Sequence, residues 1–358
     1  MTLWKRLIWI LTGCIAEPEE TSTRSSAGAG TARSKDSGCG TRLNAGSAGA
    51  SPEQVAGPWY ALPEATLLEP QPVTCPEMAH ETRAIMGGLE CSLENHDVEL
   101  PPIPRVPEAV LRCLSSKNCD FGEVAELISE DPSTTTRVLR MANAAFWGVR
   151  ATGSIPEAVV RLGTRPLQSL MMSESLMVAS RPSRKANRVI AQRFWNRSLA
   201  SGCLMRALAP LCKIDPEEGF VMGLLHDVGD VVVLRAVDRY EALSHTPIET
   251  EAFEYLCHKF HQSLGTMVAD EWSLSPKLKA LLTDHHVWPD AQDPHRVERL
   301  LLMLSDMINQ MIGYAQPVLY NLPQSRPVQE LGLGGQQQFI SLLDHLPEQI
   351  QERVDGIN

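Results

Sequence analysis

Asp131-Pro132-Ser133-Thr134-Thr135-Thr136-Arg137-Val138-Leu139-Arg140-Met141-Ala142-Asn143-Ala144-Ala145-Phe146-Trp147-Gly148 is the stretch that decides the fold. Asp followed by Pro marks a helix start, because the N–H that proline lacks has no helical partner in the first turn. Val138, Leu139, Met141, Ala142, Ala145 and Phe146 then recur at helical spacing and define one apolar side. Gly148 stands just past the end. The same grammar repeats on both sides. Upstream, Asp120 precedes a helix with Glu123 in its first turn and Phe121, Val124, Ala125, Leu127 and Ile128 on its apolar face. Downstream, Ser154-Ile155-Pro156-Glu157 starts a helix that Gly163 ends, and Pro166 opens a Leu- and Met-rich helix to about Ala179. Met171, Met172 and Met177 on that helix suit either a core or an adaptable contact surface.

After the polar break Arg181-Pro182-Ser183-Arg184-Lys185 the helical pattern resumes. Phe194, Leu199, Cys203, Leu204 and Leu208 share a spacing, and Asp215-Pro216-Glu217-Glu218 combines a cap, a first-turn proline and an acidic first turn. Further helices are expected near 249–273, 276–286 and 296–313. The run Val231-Val232-Val233-Leu234 reads equally as a buried strand or a buried helix. The expected fold is all-α: a module over 100–313 with two helical subregions, about 100–180 and 186–313. A C-terminal tail with a short helix follows over 314–358.

The N-terminal part has a different composition. Residues 15–57 are rich in Ser, Gly, Ala and Thr and carry few large apolar groups, so they are expected to be disordered. Residues 58–99 hold isolated apolar clusters broken by prolines and read as a partly ordered arm. At the start, Leu3, Leu7, Ile10 and Leu11 fall on one side of a short amphipathic helix, with Lys5 and Arg6 elsewhere. Residues 3–11 therefore suit peripheral membrane contact or a partner surface. Leu11-Thr12-Gly13-Cys14 also looks like a lipoprotein cleavage site, after an apolar run shorter than a signal core normally has. No apolar run is long enough to span a membrane.

Acidic residues outnumber basic ones, 43 to 32, for a net charge of -11. Such a surface disfavours bulk nucleic-acid binding. The nine cysteines form no Cys-x-x-Cys pair and no zinc-ribbon spacing. They read as reduced thiols in a cytoplasmic protein.

Chemistry concentrates in the second half. His226-Asp227, His261, His285-His286 and Asp306 are imidazoles and carboxylates, ligands suited to Mn, Fe or Zn. Taken singly, each histidine is more often a core or surface residue, and His245, His258, His295 and His345 are read that way. Asn143 and Trp147 suit either a groove between the subregions or internal cross-linking.

The order His-Asp, His, His-His, Asp, with the context Gly223-Leu224-Leu225-His226-Asp227-Val228-Gly229, resembles the HD superfamily of metal-dependent phosphohydrolases. Several first-half segments resemble the HDOD family of bacterial signalling proteins: Leu100-Pro101-Pro102-Ile103-Pro104, Ile128-Ser129-Glu130-Asp131-Pro132, Leu139 to Gly148 and Ser154 to Gly163. Phe194-Trp195-Asn196-Arg197-Ser198-Leu199 is similar to that family's aromatic pair followed by a serine. The resemblance covers roughly residues 100–310. It implies a signalling scaffold without hydrolase activity. Two departures from the HD pattern point the same way. Arg197 stands where HD enzymes carry an upstream metal histidine, and an arginine offers a cation no lone pair. Asp230 stands where they often carry a lysine. An ion pair from Arg197 to Asp227 or Asp230 would replace the metal.

The resulting expectation is a non-catalytic regulatory adaptor in a bacterial cytoplasm. It would bind another signalling protein or a nucleotide-type messenger, with no catalytic residue and no cofactor. The alternative is a metal-dependent phosphohydrolase acting on a nucleotide or cyclic dinucleotide, with Mn, Fe or Zn held by the degenerate site.

Overall fold

The computed structural model describes residues 59–61, 80–145, 151–315 and 317–357. Residues 3–11, Cys14 and Trp147 lie outside the described residues. Among those described, the chain is helical, and its extended pairing is one antiparallel bridge, Ala61 to Asn321. In chain order the helices are α1 (His80–Glu94), α2 (Arg105–Leu114), α3 (Phe121–Ser129), α4 (Pro132–Ala145), α5 (Ile155–Leu162), α6 (Thr164–Ala179) and α7 (Arg188–Leu208). Then follow α8 (Pro216–Leu225), α9 (Gly229–Ser244), α10 (Thr250–Glu271), α11 (Pro276–Asp284) and α12 (Arg296–Met311). A short turn of helix at Arg326–Glu330 leads to α13 (Gln337–Ile357). None of these helices is long and apolar enough to cross a membrane.

The starts are capped as their residue types demand. Asp120 accepts from the Gly122 N–H, Asp215 from those of Glu217 and Glu218, and Ser275 from that of Leu278. At the head of α4, Asp131 accepts from both the backbone N–H and the hydroxyl of Thr134, at 2.7 and 2.6 Å. Each bond satisfies a first-turn donor that the helix itself leaves free. The ambiguous valine run resolves as helix: Val231, Val232, Val233 and Leu234 are buried on every side of α9.

Two apolar cores correspond to the two subregions. The smaller holds Val110, Val124, Ile128, Val138, Val159 and Leu167 from α2 to α6. The larger is built from α7 to α13. Helix α6 joins them, with Leu167 and Met171 in the first core and Leu176 and Ala179 in the second. Met171 is fully buried, while Met172 and Met177 are half-buried, and Met177 Sδ accepts from Arg137 at 2.8 Å. The break between the halves is also pinned. Asp238 accepts from the N–H and hydroxyl of Ser183 and from the Asn187 amide.

One expectation at the C-terminal end needs correction. The C-terminal segment is no tail: α13 runs 21 residues, with Phe339, Leu343, Leu346, Ile350 and Val354 in the main core and its length against α7. Those positions recur at helical spacing, so their apolar face stays out of water only by packing on the bundle. At the other end, the arm over 58–99 carries a helix before Leu100. Helix α1 buries Ile85 and Leu89 against α9 and α10. Trp59 Nε1 donates to the Leu343 carbonyl at 3.0 Å, and the Tyr60 hydroxyl donates to Asp344 at 2.8 Å. The arm thus clasps both α1's neighbours and α13.

Candidate functional site

Six helices or their ends converge on one buried polar pocket. Arg197 projects from the middle of α7, and His226 and Asp227 from the turn between α8 and α9. Asp230 comes from the first turn of α9, His261 from the middle of α10, His285 and His286 from the end of α11, and Asp306 from α12. Two glycines let these elements approach so closely. A Cβ on Gly223 would meet the Ser201 carbonyl oxygen of α7 at 2.4 Å, and one on Gly229 would meet the His261 carbonyl oxygen at 2.0 Å. Both distances are inside any tolerable contact, so the glycines flanking His226-Asp227 bring α8 against α7 and α9 against α10.

All six histidines and carboxylates expected at the site lie in it. Asp227 is the hub. Its Oδ1 lies 3.3 Å from His285 Nε2 and 3.7 Å from His261 Nε2. Its Oδ2 lies 3.2 Å from His226 Nε2 and 3.2 Å from the Arg197 guanidinium. His226 Nε2 is also 3.2 Å from Asp306 Oδ1. The two His261 and His285 Nε2 atoms are 3.2 Å apart. Arg197 makes a second, shorter ion pair with Asp230, which is buried. The expected salt bridge from Arg197 therefore reaches both candidate carboxylates.

Backbone carbonyls orient the rings. His226 Nδ1 contacts the Gly223 carbonyl at 2.7 Å, His261 Nδ1 that of Cys257 at 2.8 Å, and His285 Nδ1 that of Leu282 at 3.3 Å. A carbonyl can only accept, so each Nδ1 carries the hydrogen and each Nε2 faces the pocket. This is the arrangement by which proteins hold imidazole ligands for a metal.

Charge follows from burial and neighbours. Burial opposes a charge on His226, yet Asp227 and Asp306 outweigh it and hold its pKa well above the ordinary histidine value. Burial likewise opposes ionised Asp227, but His226 and Arg197 hold it well below the usual carboxylate range. Burial lowers His285, and it lowers His286 to about 3 with help from His285, so both rings are neutral. Burial also opposes the Arg197 charge, but Asp227 and Asp230 raise its pKa above the ordinary value.

The donor set fits a transition ion. One ligand atom each from Asp227, His261, His285 and His286 lies within 4.8 Å of the others. With imidazole nitrogens about 2.1 Å from an ion, neighbouring ligands stand about 3.4 Å apart in a tetrahedral shell, so small side-chain shifts would close this one. His226 Nε2 is buried without a well-aligned hydrogen-bond partner among the described residues, a further sign of a pocket shaped for something more than its own side chains. Opposing this is Arg197, a fixed cation already on Asp227 and Asp230.

The sequence pattern left two residues, His258 and Cys257, outside the site. His258 belongs to the rim: its ring lies 6.1 Å from that of His286, planes 26° apart, and 6.3 Å from that of His261. Its position three residues before His261 on one helix was the available signal, since residues at that spacing share a face. Cys257, also unassigned, is buried, and its thiol pKa is pushed well up, first by burial and then by the Asp230 charge. Asn143 does not face a groove. Its side chain donates to the Thr152 carbonyl at 3.1 Å and accepts from the Thr152 N–H at 2.9 Å, which clamps the segment before α5.

Comparison with known proteins agrees with this architecture. The HDOD domain profile matches residues 100–288. An uncharacterized protein of Treponema pallidum (strain Nichols) is 23% identical over 220 residues, 58% of this chain and 42% of the relative, so the match spans less than half of that relative's length. Among solved structures, a candidate metal-dependent phosphohydrolase from Shewanella amazonensis SB2B superposes with a TM-score of 0.61 at 17% identity, covering 76% of this chain and all of that one. An HDOD domain protein of unknown function from Geobacter sulfurreducens gives 0.55 at 21% identity, over 78% of this chain and 97% of that one. A candidate signal transduction protein from Marinobacter aquaeolei VT8 gives 0.53 at 20% identity, over 77% of this chain and 65% of that one. At such identities the structures establish a shared fold and nothing finer. The profile covers more than half of the chain and takes in α2 to α11, so this protein belongs to the HDOD domain family.

Proposed function

We propose that this chain is a non-catalytic signal-transduction module, acting through binding of another signalling protein or a nucleotide-type messenger. One observation carries the reading: Arg197 is ion-paired to Asp227 and Asp230 at the centre of the pocket. A permanent cation there neutralises the carboxylate hub that a metal needs, and repels the metal itself. His226, held protonated between Asp227 and Asp306, supplies a second positive charge. Two positive charges thus offset much of the charge of Asp227, Asp230 and Asp306 from within the pocket itself.

A second reading has its own support. Asp227, His261, His285 and His286 would hold a divalent Mn, Fe or Zn ion, whose chemistry when bound is to acidify a water and polarise a phosphoester. In that case Arg197 would orient Asp227 through Oδ2, and the carbonyl-anchored rings of His261 and His285 would present their Nε2 lone pairs. Metal analysis of the full chain from its native host, with hydrolysis assays on nucleotides and cyclic dinucleotides, separates the two. Substoichiometric metal and no turnover support the binding module. About one equivalent of Mn, Fe or Zn, lost in a His261→Ala variant together with phosphoester hydrolysis, overturns it.

A further inference from the structure

From Ser175 to Ile214 the chain carries eight basic residues and no acidic one. Spread evenly, the 43 acidic residues would place about five in a stretch of that length, so the segment stands apart in a chain of net charge -11. Three of the eight are already engaged: Arg197 in the histidine pocket, Arg206 with Glu217 at 2.6 Å, and Arg184 with Glu241 at 3.7 Å. Lys213 lies beyond the far end of α7. The other four, Arg181, Lys185, Arg188 and Arg193, are exposed along the linker between the subregions and the first turns of α7. None of the four has a carboxylate partner among the described residues.

Packing explains why they face water. On the inner side of the linker, Asp238 accepts from the Ser183 N–H and hydroxyl and from the Asn187 amide. Arg184 donates to the Glu241 carbonyl at 2.6 Å, and the Glu241 carboxylate accepts from Asn187 at 2.8 Å and from the Ile248 N–H at 2.7 Å. Ser183, Arg184 and Asn187 therefore turn towards α9, whose two carboxylates are buried and occupied by these donors. Glu174, the carboxylate that precedes the stretch, is likewise buried, against Arg137 at 2.6 Å. Two exposed aliphatic side chains belong to the same segment. Val178, whose carbonyl accepts from the Arg181 N–H, is 38% exposed, and Val189, which follows Arg188, is 62% exposed.

We propose that this basic face binds an anionic lipid bilayer. Such a surface asks for unpaired cations and a few insertable apolar groups, and for no cleft of complementary shape. None of these residues lines either of the described clefts, whereas a small nucleotide takes a concave site. A protein partner calls for an apolar centre, and here two valines accompany four long basic side chains. The remainder of the chain is acidic and is repelled by the same lipids, so the approach has one orientation. Each Lys or Arg held near an anionic surface strengthens binding by about five-fold. Four of them act together at low ionic strength. The inference stands apart from the histidine pocket and from residues 3–11.

Vesicle flotation of the full chain tests it, with phosphatidylcholine vesicles and with vesicles in which about a third of the lipid is phosphatidylglycerol. The unaltered chain should float with the anionic vesicles, stay behind with the neutral ones, and be released as salt rises from about 0.1 to about 0.5 M. Arg181→Glu/Lys185→Glu and Arg188→Glu/Arg193→Glu should each weaken binding about 25-fold or more. The corresponding Gln pairs, which neutralise without reversing, should lose less. Lys117→Glu/Lys213→Glu changes the net charge equally at exposed sites elsewhere and should bind like the unaltered chain. All of these positions are exposed, so melting temperatures should stay together. Equal binding by the linker variants and the Lys117/Lys213 control overturns the proposal, as does binding that ignores lipid charge. Loss in Lys5→Glu/Arg6→Glu with none in the linker variants assigns the contact to the N-terminal segment and also overturns it. So does binding of an oligonucleotide, and of no vesicle, through the same four residues.

Discussion

Replacing Arg197 by histidine tests the charge argument directly. In the unaltered protein the guanidinium lies 3.2 Å from Asp227 Oδ2 and closer still to Asp230, whose side chain is 3% exposed. Removing one partner of a buried ion pair leaves the other charge uncompensated, at a cost of about 3–5 kcal/mol. The Arg197 side chain is 27% exposed, so the lower end of that range applies, and the metal-free variant should melt roughly 10 °C lower. The same change should open the site to cations. A divalent charge about 4 Å from a guanidinium costs about 8 kcal/mol at an effective dielectric of 20. Even if solvent and rearrangement remove three quarters of that, about 2 kcal/mol remains, roughly a 30-fold gain in affinity. Titration calorimetry with Mn²⁺ and Zn²⁺ reads the affinity, and thermal unfolding with and without chelator reads the stability. Arg197→His should be destabilised in chelator and rescued by metal, whereas the unaltered protein should respond weakly to either. Equal metal affinities in the two proteins would refute the idea that Arg197 substitutes for the ion.

Three further outcomes follow from the packing and the caps. Gly229→Ala should destabilise the fold by about 3 kcal/mol or more in denaturant unfolding, because its Cβ would strike the His261 carbonyl oxygen at 2.0 Å and force α9 off α10; a neutral effect would mean the two helices separate easily. A chain beginning at Asp97 loses Tyr60, Ile85 and Leu89 from the main core, each worth about 1.5–3 kcal/mol of burial, so its unfolding midpoint should fall well below that of the full chain. An unchanged midpoint would show that the arm adds nothing to the stability of the core. Asp131→Ala removes the cap of α4 and should cost about 1 kcal/mol near neutral pH. The Thr134 hydroxyl and N–H hold the Asp131 carboxyl below its ordinary value of 3.8. Its contribution is therefore present above that pH and is lost as pH falls through the lower, folded-state value. The difference between the two proteins should shrink in strong acid, and a constant difference down to the lowest pH would assign the cost to packing instead.

The helices of this protein were legible in its sequence because the signals are local. Asp-Pro starts, first-turn carboxylates and apolar residues three and four apart act within one or two turns, and α3 to α8 and α10 to α12 follow them closely. The site was half legible for a related reason. His226-Asp227 and His285-His286 sit together in the chain, and each stands at a helix end where a pattern draws the eye. What the chain order left open is decided across elements. That Arg197 meets Asp227 and Asp230 depends on how closely α8 packs on α7 and α9 on α10, and Gly223 and Gly229 permit those approaches by carrying no Cβ. That His258 joins the rim depends on the rotation of α10 beside α11. Helices α1 and α13 stand at opposite ends of the chain, and their stability comes from burial against distant partners. A short apolar face has little helical preference of its own, and only the tertiary structure supplies the surface that makes its burial favourable.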